Sequence, residues 1–94
     1  NKMSYKKGDV ITVVTAAGEF VGKYNSEGTA SYTIDDPRMV IQTQEGMGFA
    51  RGVAVTGVEN PPSMSFFTGG IVFVTSTNDE VTKAYRQAVS GLIL

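Results

Sequence analysis

The sequence predicts a mostly β fold, a five-stranded, strongly bent antiparallel sheet of the small-barrel kind followed by a C-terminal amphipathic helix. Three observations predict it. Most of the chain divides into strand-sized pieces rich in Thr and Val, separated by turns that contain glycine. Within those pieces apolar and polar residues alternate with a period of two. Only the last segment changes period, with Val81, Ala84, Tyr85, Ala88, Val89 and Leu92 at helical spacing.

The elements follow in order. Residues 9–15 (DVITVVT) form the first strand and 16–18 turn the chain. Residues 19–26 alternate cleanly, with Phe20, Gly22 and Tyr24 on one face. A turn at Glu27 and Gly28 leads into residues 29–35, whose Ala30, Tyr32 and Ile34 point inward. Asp36 and Pro37 interrupt the ladder, because proline has no N–H to give, and residues 39–44 resume it. One long strand with a bulge is expected there. Residues 47–56 are expected as the fourth strand, and residues 65–76, kinked at Thr68-Gly69-Gly70, as the fifth. A helix is expected over 78–92, opened by a Thr77/Glu80 capping box. The strands span roughly residues 9–76, and the whole chain, 1–94, is expected to be a single domain.

Composition narrows the chemistry. The 94 residues include no cysteine, so no disulfide or thiolate metal site can reinforce a modest core. There is no histidine, which removes the commonest general base and metal ligand. Eight basic residues stand against nine acidic ones, and only Lys6 and Lys7 of the basic ones are adjacent. That balance argues against a free-standing basic nucleic-acid face. No apolar run reaches the length of a membrane span and no secretory leader is evident, so a cytoplasmic protein without membrane partner is expected. Residues 10–14 and 71–74 are apolar on both faces. A sheet with one wet face would not need this, so both faces are expected to be covered, by the helix and by a second copy of the chain.

Residues 18–36 resemble the first motif of the Sm-like family. Gly18-Glu19-Phe20-Val21-Gly22-Lys23-Tyr24 carries the family's glycine pair with the apolar residue between, Glu27 stands at its acidic position, and Ile34 and Asp36 close the motif without a gap. The second motif, an Arg-Gly or Lys-Gly pair before a last Val-rich strand, has two matches. Arg51-Gly52 keeps the dipeptide, while Phe67-Thr68-Gly69-Gly70 keeps the place before the last strand. Thr29 stands where the family has a base-stacking aromatic and Ser31 where it has a base-bonding Asn; the helix closes the chain rather than opening it. Such departures suit a divergent member, of phage type. SH3-like barrels share the same bent five-stranded sheet.

The resemblance implies a non-catalytic homo-oligomeric ring in which the fourth strand of one subunit pairs with the fifth of the next. Val53, Val55, Ile71 and Phe73 are the interface positions it implies. It also implies single-stranded RNA at the rim, held by Thr29, Ser31, Thr68 and Gly69, with Arg51 added. An assembly module of viral kind without nucleic acid, and a monomeric peptide-binding barrel, remain open beside it. No cofactor, metal or small-molecule substrate is expected. Asp35 and Asp36 read as a turn around Pro37 rather than a cation site, since nothing near them in sequence adds converging oxygens. Gly69-Gly70 precedes a strand and no lysine, so it is no phosphate loop. Without histidine no Ser-based triad can form, and no enzyme is expected.

Overall fold

A computed structural model describes residues 5–90. The chain forms β1 (Val10–Thr15), β2 (Gly18–Glu27), β3 (Ser31–Thr43), β4 (Gly46–Ala50), β5 (Ser63–Phe67), a 3-10 turn (Thr68–Gly70), β6 (Ile71–Ser76) and α1 (Asp79–Ser90). All strands belong to one antiparallel sheet in the order β4-β3-β2-β1-β6, with β5 also on β3. Mostly β with one C-terminal helix is therefore the architecture.

Two hairpins share one chemistry. In Thr15-Ala16-Ala17-Gly18, the Thr15 hydroxyl accepts from Ala17 N at 3.1 Å and donates to Gly18 O at 3.0 Å. In Thr43-Gln44-Glu45-Gly46, Thr43 does the same with Glu45 N and Gly46 O. Gly18 and Gly46 both have positive φ, 143° and 119°, where a side chain would be strained.

The long β3 is bulged where the sequence predicts it. Val21 pairs with Arg38 and Lys23 with Asp35, so Gly22 alone faces both Asp36 and Pro37. Asp36 takes a left-handed φ of 48° and its N–H leaves the ladder to reach Pro62 O at 2.9 Å. The bulge divides the outer edge of β3. Residues 31–35 pair with β5 and residues 39–43 pair with β4.

That division corrects the strand expectations. The fourth strand stops at Ala50 rather than Thr56, because Ala50 already pairs with Met39 and the rest of that edge is occupied by β5. Residues 51–62 instead run as an irregular segment held by one Gly52–Glu59 bridge. The expected fifth strand is two strands, β5 and β6, which pair with different partners on either side of the 3-10 turn. The helix starts at Asp79, and the expected capping box is not what opens it. Asn78 Oδ1 accepts from Val81 N at 2.8 Å, while the Thr77 hydroxyl is bonded to Thr12 Oγ1. Leu92, at the far end of the expected helix, lies outside the described residues.

The turn between β5 and β6 sets the shape. Laid flat, four strand steps of about 4.8 Å would hold these strands roughly 19 Å apart. A three-residue link at about 2 Å per residue cannot span that, so the sheet curls until its two ends approach. No ladder joins β5 to β6, and the sheet stays open.

Alternation sends neighbouring residues to two cores. Ile11, Val13, Phe20, Ile34 and Phe66 fill the inner face, with Phe20 and Phe66 rings 5.0 Å apart. Val10 and Val21 point the other way, against Tyr85, Val81 and Val89 of α1. This explains why β1 is apolar on both faces. No helix among the described residues is long and apolar enough to cross a membrane.

Candidate functional site

The corner where the sheet ends meet gathers four of the sequence-predicted positions. Thr29 lies in the β2–β3 turn, which Gly28 N closes on Ser31 O at 2.9 Å. Thr68 N donates to Ala30 O at 2.9 Å, and Ser31 pairs directly with Phe67. Thr29, Ser31, Thr68 and Gly69 thus share one end of the molecule, where Ser31 is half-buried and the other three are exposed. Phe67 adds an aromatic surface beside Ser31, 68 % exposed. The available signal for it was the doubled Phe66-Phe67. On a strand one of two adjacent side chains must face away from the core, and Phe66 takes the inside.

Arg51 is not part of this corner. It follows β4 and lines a cavity with Arg38, Phe49, Asn60, Ala88 and Val89 at the C-terminal end of α1. Arg38 itself stands seven positions along β3 from Ser31, roughly 20 Å at strand rise.

The four predicted interface positions divide. Val53 and Ile71 both pack against the inner core and line one cleft of about 380 Å³ with Phe67. Val55 stands fully exposed on the irregular segment, not on a strand edge. Phe73 is 53 % exposed and lies on the other face from Ile71, beside Val14 and Val81. The register shift between Val14 and Thr15 leaves Val72 as an extra residue, which puts Ile71 and Phe73 on opposite faces despite their even spacing. Val72 is 65 % exposed.

Electrostatics concentrate at the bulge. Asp35 accepts from Asn25 Nδ2 at 3.1 and 3.2 Å, and Asp36 pairs with Lys23 at 3.2 Å. Both carboxylates are thereby engaged within β2 and β3, and among the described residues no group of three or more acidic residues converges on a cation site. The Tyr85 hydroxyl donates to Asp36 O at 2.6 Å. Burial, with the Asp36 charge adding, pushes its phenol well above the ordinary tyrosine value. Tyr5 and Tyr24 stack at 5.6 Å beside the β1 entrance, and burial raises both, with the Tyr24 hydrogen bond to Glu27 adding to that shift. These tyrosines belong to the packing of the inner core.

The chain matches no family model and no curated protein.

Proposed function

We propose that the chain is a non-catalytic, Sm-like assembly module whose copies join through β5 and β6 into a closed homo-oligomer. One observation carries the reading: among the described residues β5 and β6, like β4, each keep one edge without a ladder partner, and β5 and β6 are uncharged and follow one another in the chain. From Ser63 to Ser76 there is no charged residue. Phe67, Val72 and Phe73 stand more than half exposed on these strands. Proteins usually blunt such edges with Lys, Pro or a cover, because an open apolar edge recruits further strands. Here the two edges are consecutive in sequence and meet at one corner. The edge of β5 in one copy pairing with β6 of the next is a heterologous contact, which closes into a ring when the rotation allows. In this reading Phe73 stays a contact residue and Val72 joins it, while Val53 and Ile71 lie beneath the seam and Val55 lies off it on the irregular segment.

A second reading is favoured by the gathered hydroxyls. Thr29, Ser31, Thr68, the Gly69 backbone and the Phe67 ring together offer hydrogen bonds and a stacking surface to single-stranded RNA. A base on an aromatic ring is worth roughly 1–3 kcal/mol. Among the described residues that form the corner none is a lysine or arginine, so RNA held there would show a shallow salt dependence.

Native mass spectrometry of untagged protein, purified without nuclease, tests both. A single closed oligomer is expected for the wild type, and monomer for the Val72→Lys/Phe73→Lys double variant with unchanged circular dichroism. A wild-type monomer would discard the assembly reading. Excess mass removed by ribonuclease would establish the RNA reading; its absence would leave assembly alone.

A further inference from the structure

We propose that the cavity between the C-terminal end of α1 and the β3–β4 surface is a binding site for a small organic oxyanion, gripped by Arg38 and Arg51. The site stands independently of how copies of the chain assemble.

The argument begins with Arg38. It is 8 % exposed, and among the described residues it is the one buried charged side chain. Its Nη1 donates to Pro37 O at 2.8 Å. A guanidinium carries five N–H donors. No side-chain nitrogen among the described residues is shut off from solvent without a partner, and Arg38 lines the cavity, so N–H groups beyond the one bonded to Pro37 O are left for a ligand there. Among the described residues no carboxylate pairs with it. The acids nearest in sequence are already engaged, Asp35 by Asn25 and Asp36 by Lys23. Guanidinium groups in proteins keep their charge when buried, and a buried unpaired charge is costly. An anion in the cavity would offset that cost.

The rest of the lining suits the same ligand. Arg51 brings a second guanidinium, also without an ion pair among the described residues, and Asn60 brings an amide. Among the described residues no acidic side chain lines the cavity. The loop bearing Arg51 and Asn60 is built to hold them together. Asn60 N donates to Arg51 O at 2.9 Å, Gly52 bridges Glu59, and Asn60 adopts a left-handed φ of 52° to close the loop. Phe49 is held edge-on against Tyr85 at 6.0 Å and forms an apolar wall with Ala88 and Val89.

The competing explanation is that the helix C-terminus already neutralises these cations. A helix end carries about half a negative charge. Two full positive charges against that leave an excess of about one and a half. The α1 dipole reduces the demand for an anion without meeting it.

The cavity has a volume of about 460 Å³, larger than a bare ion requires. The ligand that fits has a carboxylate or phosphate head, which a guanidinium fork binds in bidentate fashion, and a small apolar body against Phe49, Ala88 and Val89.

The test is an NMR titration of the arginine Nε–Hε signals in the full chain, at constant ionic strength, with phenyl phosphate, benzoate, inorganic phosphate and chloride. Saturable shifts at Arg38 and Arg51 are expected with either aromatic anion, with phenyl phosphate at least threefold tighter than inorganic phosphate. Whichever aromatic anion binds tighter identifies the head group. Arg51→Gln should weaken binding at least tenfold while leaving the amide spectrum dispersed, since Arg51 is exposed and its role in the fold is carried by its backbone. Arg38→Lys should weaken it as well. Shifts that rise linearly without saturation, that match those in chloride, or that survive Arg51→Gln unchanged would overturn the proposal.

Discussion

Tyr85→Ala will destabilise the fold by about 3–5 kcal/mol, the range for deleting a buried aromatic side chain. Tyr85 is fully buried and stands at the centre of the second core, against Val10 of β1 and Val21 of β2, with Val81 and Val89 on its own helix. Its ring meets Phe49 of β4, and its hydroxyl meets the bulge of β3. One side chain therefore ties α1 to four strands. Tyr85→Phe isolates the hydroxyl. It keeps the ring and leaves Asp36 O without its 2.6 Å donor, at a cost of about 1–3 kcal/mol. The same hydroxyl gives a pH signature. Burial raises the folded-state pKa above the unfolded value of about 10, so the folded form holds its proton longer than the unfolded chain. The contribution is constant below pH ~10 and is lost as pH rises from there towards the folded-state pKa. Urea unfolding at pH 7 and pH 11 should therefore show a larger fall for wild type than for Tyr85→Phe. Tyr5 and Tyr24 shift in the same direction in both proteins, so the difference belongs to Tyr85. Equal falls would mean that the phenol gains water on the helix side.

How far the sequence reveals this arrangement depends on the range of the interaction. The two-faced apolar pattern of residues 10–14 already requires a cover on each side, and α1 supplies one of them. The bulge is legible because Pro37 cannot donate and Asp tolerates the left-handed region. The two Thr-x-x-Gly hairpins are legible too, once the threonine hydroxyl is counted as part of the turn. The end of β4 is not. Val53-Ala54-Val55-Thr56 has strand composition, and what denies it a strand is that β5, ten residues later, occupies the remaining edge of β3. That competition is long-range and leaves no local mark. Residues 65–76 fail for a related reason: the kink at Thr68-Gly69-Gly70 is visible, yet the change of partner across it is a property of the whole sheet. At the helix start Thr77 and Asn78 are both competent caps, and the Thr12 hydroxyl on β1 decides between them. Arg38 and Arg51 come together because the β3–β4 register that pairs Met39 with Ala50 sets Arg51 one step further, opposite Arg38; what no spacing rule encodes is that Asn60 and the end of α1 join them.

Gly22→Ala will lower stability by about 1–3 kcal/mol, the range for forcing a methyl group into a packed core, and Gly22→Val by more. Gly22 does not need its glycine for a left-handed backbone, since its φ is not positive. It needs it for space. A Cβ there would lie 2.6 Å from Ile34 Cδ1 and 3.0 Å from Asp35 O. The first atom ends a side chain that is itself fully buried in the inner core, and the second is backbone on the rim of the bulge. Neither can retreat cheaply. Gly22 stands alone opposite two residues, Asp36 and Pro37, where β2 and β3 bend together, so the methyl group would press on the point that sets the curl of the sheet. Gly69→Ala is the matched control, because nothing lies within 4 Å of a Cβ there and its φ is not positive; its effect should stay within about 0.5 kcal/mol. Urea midpoints with unchanged m-values would read both. If Gly22→Ala also unfolded with a changed m-value, the bulge would be yielding in the native state rather than the core absorbing strain. If it were neutral, Ile34 would have a second packed position and the bend would be set by Asp36 and Pro37 alone. The expected loss requires that the close approach of β2 to β3 and the bulge act as one unit, which is the condition for β5 and β6 to meet at a shared corner.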